Sequence, residues 1–498
     1  MTAGAPASAV RTPAPKPPKK GRIAALAARG VRANDRFFAI SERGSSPLRE
    51  ARGGIATFFT MAYIIVLNPI ILSGATDKYG HHLSHGQVVT MTVLVAAVMT
   101  VIMGVVGNIP LAIAAGLGLN GVVAFQIAPK MSWPDAMGLV VLSGIAIVLL
   151  VVTGLRELIM DAIPLGLKQA IGVGIGSFIA FLGLVDAGFI SRTPDAAGST
   201  VPVTLGTDGH LQGWPTLVFC LGVLLTFVLL VRKVRGAILI SIVLMTVLAM
   251  TVNGIADIAP GQWGLIQPEV PDQVVSTPDF GLLGNVSLTG AFSEVGVLTA
   301  VIFVFTLMLS DFFDAMGTII GVSSEAGLVD EKGKMPRIGR ILFVDGLAAV
   351  AGGAASCSSN TCYVESTAGV GEGARTGFAN VVTGLFFAAA LFLTPLATVV
   401  PYQAATPALV AVGFLLMTQV KKIDWDDWEL AVPAFLTIVL MPFTYSITNG
   451  IGAGFLAYVV LKAANGKAKQ VPWLLWIVAA FFLVYFAIDP IEQLLGVN

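Results

Sequence analysis

Four polar side chains stand out because the stretches that carry them are otherwise apolar enough for lipid. The run FTLMLSDFFDAMGTIIGV places Asp311 and Asp314 three residues apart, on one face of a helix. A carboxylate at membrane depth costs several kcal/mol unless it is paired, hydrated or neutralised by a proton. Such a pair therefore reads as a binding or proton-carrying group, against the alternative of a carboxyl group hydrogen-bonded to a neighbouring segment. Glu365 follows the Ser/Thr/Asn-rich run ASCSSNTCYVES, which reads as a short strand opening into a half-helix. Backbone N–H groups at such an opening point toward an acceptor; the competing reading of Glu365 is a helix cap. Asn120, in GLGLNG, offers donor and acceptor beside flexible glycines, or equally a backbone cap.

The elements that must hold these groups follow from composition. The chain has 498 residues, 56% hydrophobic and 12% charged, against about 25% charged in ordinary soluble domains. So few charges cannot cover a water-soluble surface of this size, which excludes a soluble enzyme. Three cysteines exclude a disulfide scaffold. Apolar segments fall near 55–73, 88–107, 111–128, 137–155, 163–185, 214–231 and 236–253. Seven more lie near 296–321, 338–353, 354–370, 378–399, 402–419, 430–446 and 449–464. A fifteenth stretch, Val471–Ile488, is left over.

Lys and Arg order these segments, because cytoplasmic loops retain them. Eleven precede the first span and fourteen fall in loops after even-numbered spans; loops after odd-numbered spans hold only Lys78, Lys130 and Arg192. Lys168 is the one cation inside a span. Fourteen spans with a cytoplasmic N-terminus satisfy this bias. The N-terminal tail is rich in Pro, Ala and Lys and carries no secretion signal, so residues 1–45 read as a disordered cytoplasmic extension. Within it, Gly21–Ala39 reads either as a basic amphipathic stretch on anionic lipid or as a solvated linker.

Spans 3 and 10 are not ordinary helices. Their glycines and small polar residues leave backbone groups that hydrocarbon cannot satisfy, so they must be buried in protein or line a cavity. They occupy matching places: Asn120 and Glu365 are 245 positions apart, Pro164 and Pro401 are 237 apart. A repeat of about seven spans contains an odd number of crossings, so its second copy is inverted. Paired broken spans in an inverted repeat point to a midplane substrate site in a secondary transporter.

Other conspicuous residues carry less. The HHLSH run (His81, His82, His85) reads as a solvated loop, and Cys357 and Cys362 as small buried side chains. Asn68-Pro69 reads as a kink, and Glu372 as a rim carboxylate near Arg375. No hydrolase triad, zinc motif or Walker motif is present.

The matching pieces GGIATFFTMAYIIVLNP, GLGLN, DFFDAMGTIIGV, YVESTAGVGEGARTG and MPFTYSITNGIGAGF run between about Phe37 and Phe486. Together they make the chain resemble the AzgA-like purine permeases, a branch of the nucleobase–cation symporters. The resemblance implies an all-α polytopic membrane protein of the uracil-permease-like fold. That fold has about 14 transmembrane spans in a 7+7 inverted repeat, with short strands in spans 3 and 10. It further implies a core domain (50–160 and 290–400) and a gate domain (161–260 and 401–488). By resemblance, Asp314 and Glu365 bind the purine and one of them exchanges the coupled proton, while Asp311 and Asn120 are supporting polar positions in the substrate site. The implied function is import of guanine or hypoxanthine, with adenine as a further substrate, by proton symport across the cytoplasmic membrane. The implied partners are purine, proton and lipid bilayer, with a homodimer as the family expectation; no cofactor, metal or nucleic acid is implied. The chain departs from the family pattern at AAGLGLNG, which lacks the usual proline, at Ala315 and in the run CSSNTC. Two other readings stay open on the residues themselves: an anion or other small-solute transporter or channel of the same fold, and a membrane-embedded enzyme.

Overall fold

The computed structural model describes residues 35–154, 163–192, 203–207, 209–256, 258–259, 261–264, 266–271, 273–328 and 337–487. Among them, ten helices are long and apolar enough to cross a bilayer, from Pro47–Gly74 and His85–Gly107 to Ile447–Ala464. The shorter helices Ile338–Ala354 and Trp428–Phe443 fill the places of spans 9 and 13. Spans 3 and 10 are broken. Strand β1 (Ile113–Ala115) leads into the helical turn Leu117–Val122, and a second strand, β4 (Asn360–Cys362), leads into Ser366–Gly371. Fourteen segments thus occur where hydropathy places them.

β1 and β4 pair antiparallel, with Ile113 opposite Cys362, Ala114 opposite Thr361 and Ala115 opposite Asn360. Each strand supplies the other's missing backbone partners, which is how non-helical chain survives at membrane depth. Thr100 caps the pair from span 2: its hydroxyl accepts from Ile113 N at 3.0 Å and donates to Ile113 O at 2.9 Å. A hairpin that hydropathy does not announce, β2 (Ile190–Arg192) with β3 (Val203–Leu205), lies between spans 5 and 6.

Packing divides the spans into two groups. Span 4 packs on spans 8 and 9, span 11 on spans 1 and 2, and the half-helix of span 10 on span 1. Separately, span 5 packs on spans 12 and 13, span 13 on span 14, and span 6 on spans 7 and 12. The fifteenth stretch forms the helix Trp473–Phe486. Its 14 residues rise about 21 Å at about 1.5 Å each, short of the ~30 Å hydrocarbon layer, and it packs on spans 14 and 8.

Most of the expected tail, and with it most of Gly21–Ala39, lies outside the described residues. Residues 35–45 are docked on the first group. Ile40 is fully buried, and the Arg43 guanidinium donates to the carbonyls of Asn108 at 2.6 Å and Arg375 at 3.0 Å. The fully buried Glu50 carboxylate accepts from Arg375 N at 2.8 Å and Thr376 N at 3.2 Å. These bonds pin the segment after span 10 to the start of span 1.

Candidate functional site

The β1–β4 crossing sets the site. Gly116 N donates to Ser359 O at 2.9 Å and Tyr363 N to Ala112 O at 3.0 Å, so the pairing extends past both strand ends. The turn that delivers β4 is tight: a Cβ on Gly352 would lie 2.0 Å from Ser358 O, and Ser356 and Ser358 both have left-handed backbone angles. β4 is thereby held against span 9.

Glu365 stands immediately before the half-helix Ser366–Gly371 and makes no capping bond with its side chain. Its carboxylate accepts instead from the Tyr63 hydroxyl of span 1, at 2.5 Å. Thr60 donates to the Glu365 carbonyl at 3.3 Å. Span 1 can come this close because Gly53 and Gly369 cross without side chains; a Cβ on Gly369 would lie 2.6 Å from Gly53 O.

Asp314 is exposed on span 8, where its charge acts on Glu365, Tyr63 and Tyr363. Its charge therefore reaches residues of the broken-span crossing. Glu365 is partly exposed. Two carboxylates, one from span 8 and one from span 10, thus stand close enough for their charges to interact, with Tyr63 and Tyr363 beside them.

Asp311 differs. It has no exposed surface, and one of its oxygens accepts from Ser359 Oγ at 2.6 Å while the other has no hydrogen-bond partner. One turn of span 8 therefore leaves Asp314 exposed and turns Asp311 to Ser359, just before β4. Asn120 is likewise fully buried. Its amide donates to Asn68 Oδ1 at 2.5 Å, and its own Oδ1 is unpartnered. Asn68, legible in the sequence only as a kink beside Pro69, is a hub: its amide donates to Thr92 Oγ1 at 2.7 Å and Cys357 O at 3.2 Å.

Two further residues were not singled out from sequence. Tyr63 holds Glu365, but nothing local distinguishes it from any aromatic in an apolar span. Asp345, in span 9, is fully buried and accepts from Cys362 N at 3.1 Å and Thr361 Oγ1 at 3.3 Å. A carboxylate within the apolar run ILFVDGLAAVAGG was a signal of the same kind as Asp311. Asp345 also lies close enough to Asp311 and Asp314 for their charges to interact.

At the edge of this group, Glu372 pairs with Arg52 at 2.8 Å and with Arg235, which precedes span 7. His81 and His82 are exposed, whereas His85 is half-buried with Nδ1 2.8 Å from Ser73 Oγ. Cys357 and Cys362 are buried and free.

The sequence matches the Permease family Xan_ur_permease over residues 49–453. It is 39% identical over 460 residues to the guanine/hypoxanthine permease PbuG of Bacillus subtilis, covering 90% of this chain and 98% of that one. It is 37% identical over 457 residues to the adenine permease AdeP of Escherichia coli, covering 90% and 95%. Among solved structures, the transmembrane domain of a cyanobacterial bicarbonate transporter, BicA, superposes with a TM-score of 0.57 at 17% identity, covering 82% of this chain and 97% of that one. That likeness concerns the fold, a 7+7 inverted repeat. With relatives named as permeases along nearly its whole length, this multi-pass membrane protein is a transporter and not an enzyme, and the chain belongs to the Xan_ur_permease family.

Proposed function

We propose that the protein is a secondary active transporter that imports purine nucleobases, guanine and hypoxanthine foremost and adenine as a further substrate, by proton symport across the cytoplasmic membrane. The observation that carries this reading is the meeting of Asp314 and Glu365 at the β1–β4 crossing, neither of them fully buried. A purine is flat, neutral and rich in N–H donors and ring acceptors. An ionised carboxylate accepts two adjacent N–H groups, and a protonated one donates to a ring nitrogen. A site built to make these bonds rejects analogues that lack them, because its own polar groups are then left unpaired. Asp311 and Asn120, both without exposed surface, support the site from behind, through β4 and through Asn68 respectively. The names of PbuG and AdeP support a purine cargo.

In this reading spans 1–4 and 8–11 are the core, which carries substrate, and spans 5–7 and 12–14 are the gate. The concentration of Lys and Arg in loops after even-numbered spans supports a cytoplasmic N-terminus. Uptake of a neutral base gains nothing from the membrane potential. A co-transported proton adds about 2.3 kcal/mol per 100 mV, a concentration ratio of about fifty. Glu365 or Asp314 exchanges that proton. An anion carrier of the same fold is disfavoured, since two carboxylates at the crossing repel anions.

The test is uptake of radiolabelled guanine into a strain lacking its own purine permeases, competed by hypoxanthine, adenine, xanthine and uracil, with and without an imposed pH gradient. Competition by hypoxanthine and accumulation that collapses with a protonophore are expected. Uptake that ignores both the protonophore and the external pH excludes proton symport.

A further inference from the structure

A second polar space lies apart from the carboxylate pair. A cavity of about 190 Å³ is lined by Ile70, Gly74, Phe125, Asp186, Trp263, Gly264, Tyr402 and Gln403. None of Asp314, Glu365, Asp311 or Asn120 reaches it. Its wall comes from both groups of helices: Ile70 and Phe125 belong to spans 1 and 3, Asp186 ends span 5, and Tyr402 and Gln403 open span 12. It therefore sits in the seam between core and gate. It lies at the end of the bundle opposite the Lys- and Arg-rich loops, which is the outer end on the proposed topology.

The polar groups here are poised for a ligand. Asp186 is half-buried and makes no hydrogen bond or ion pair among the described residues. Gln403 is 7% exposed, and its Oε1 has no hydrogen-bond partner. Buried acceptors are ordinarily bonded, and an orphaned one carries a desolvation cost that a donor relieves. The remaining wall is aromatic: the Phe125 ring, the Tyr402 phenol and the Trp263 indole. The Tyr402 hydroxyl donates to Ile70 O at 3.3 Å and the indole N–H of the fully buried Trp263 to Asn253 at 2.9 Å, so both polar hydrogens are already used within the protein. Among the described residues no cation lines the space, so a negatively charged solute is opposed by Asp186. A flat neutral ring with adjacent N–H donors satisfies the Asp186 carboxylate and the Gln403 carbonyl along its edge, and stacks on the aromatic wall with its face.

We infer that this cavity is an outer docking site for a nucleobase, occupied before the base passes to the Asp314–Glu365 pair. The inference rests on the proposed purine transport and places a second stop on the same path. Phe125 is five residues beyond Asn120 on span 3, so one element runs from the cavity to the residues behind the carboxylate pair. Asp186 and Gln403 both sit on the gate, so relative movement of gate and core hands the base from one to the other.

The experiment compares Asp186→Asn and Gln403→Ala with the unmodified protein, reconstituted in proteoliposomes, using radiolabelled guanine added on one side at a time. From the outer side each variant is expected to raise KM about five- to twenty-fold with maximal rate kept within twofold. From the inner side KM is expected to stay within twofold. This sidedness separates a docking site from a general loss of packing, which weakens transport from both sides. An unchanged KM from the outer side in both variants overturns the docking site, as does an equal rise from both sides. If one variant fails to reach the membrane, the other decides. Guanine transport by the unmodified protein is the internal control: its absence refutes the proposed function, whereas its presence with unaltered variants refutes the docking site alone.

Discussion

Spans 3 and 10 share one architecture and carry different chemistry. Each is a three-residue strand followed by a six-residue helical turn, and the two strands pair with each other. Around span 3 the polar groups are neutral: Asn120 bonds Asn68, Asn68 bonds Thr92, and Thr100 bonds β1. Around span 10 they are acidic: Asp311 holds Ser359, Asp345 holds Thr361 and Cys362, and Glu365 meets Tyr63 and Asp314. Asn68 precedes Asp314 by about the same interval as Asn120 precedes Glu365, so amides stand in one repeat where carboxylates stand in the other. An amide both donates and accepts, so amides bond one another directly, as Asn120 and Asn68 do, and only the Asn120 Oδ1 is left unpartnered. A carboxylate only accepts, so it needs a donor or a proton from elsewhere. The duplicated backbone builds the crossing, and in the proposed function the acidic half gives it something to bind.

The contrast is broken most sharply by making the acidic half neutral. Asp314→Asn and Glu365→Gln are expected to lower purine affinity about 10- to 150-fold, the equivalent of losing a hydrogen bond to a charged acceptor worth about 1.5–3 kcal/mol. Glutamine still accepts from Tyr63, yet it presents N–H groups where the base needs an acceptor. Whichever residue carries the proton loses pH-driven accumulation in addition to affinity. Equilibrium binding measured beside accumulation separates the two roles; wild-type uptake by both variants rejects the assignment of either.

A smaller effect is expected where acidic groups only hold the strand. Asp345→Ala leaves Cys362 N–H and the Thr361 hydroxyl without their acceptor, at a cost of about 2–3 kcal/mol. A lower melting temperature is expected in detergent, with Asp345→Asn recovering part of it because an amide oxygen still accepts. Asn120→Ala removes one neutral bond together with an already unpartnered oxygen, so about 1 kcal/mol is expected and only a modest loss of transport. Equal destabilisation by Asp345→Ala and Asn120→Ala would erase the distinction between the two halves.

The sequence displays the layout of this contrast and hides its wiring. Gly-rich and Ser-rich interruptions in apolar runs, at matching positions, reveal both broken spans, because hydrocarbon forbids such backbone outside a protein-lined space. Asp311, Asp314 and Glu365 are conspicuous for the same reason. Tyr63 is not: its partner Glu365 lies 302 positions away, and only the Gly53–Gly369 crossing brings them together. Asn68 carries two meanings in one dipeptide, since the adjacent Pro69 explains a kink without any need for a hub. That Asp311 and Asp314 part company, one buried against Ser359 beside β4 and one exposed, depends on where span 8 packs. Three-residue spacing alone puts them on the same face.

The far ends of the two broken spans repeat the contrast at lower energy. The segment after the span 3 half-helix is held by backbone: Lys78 N donates to Ala128 O at 3.0 Å and Met131 O at 3.2 Å. The end of the span 10 half-helix is held by charge, through Glu372 with Arg52 and Arg235. Arg52 belongs to the same group of helices as Glu372, whereas Arg235 enters span 7 of the other group. The second ion pair therefore ties one group of helices to the other on the Lys/Arg-rich side, while the seam on the opposite side holds a cavity. Both arginine side chains are largely exposed, so each pair is worth only about 0.2–1 kcal/mol. A tie of that size suits a contact that forms and releases in every transport cycle. Arg235→Ala is expected to shift the balance between the two openings of the carrier by no more than about fivefold, read as the ratio of inner to outer accessibility of a cysteine placed at the seam. Salt screens exposed charges, so the difference between Arg235→Ala and the unmodified protein should shrink at high ionic strength. A salt-independent difference means that the arginine acts through packing, and the end of span 10 is then no more electrostatic than that of span 3.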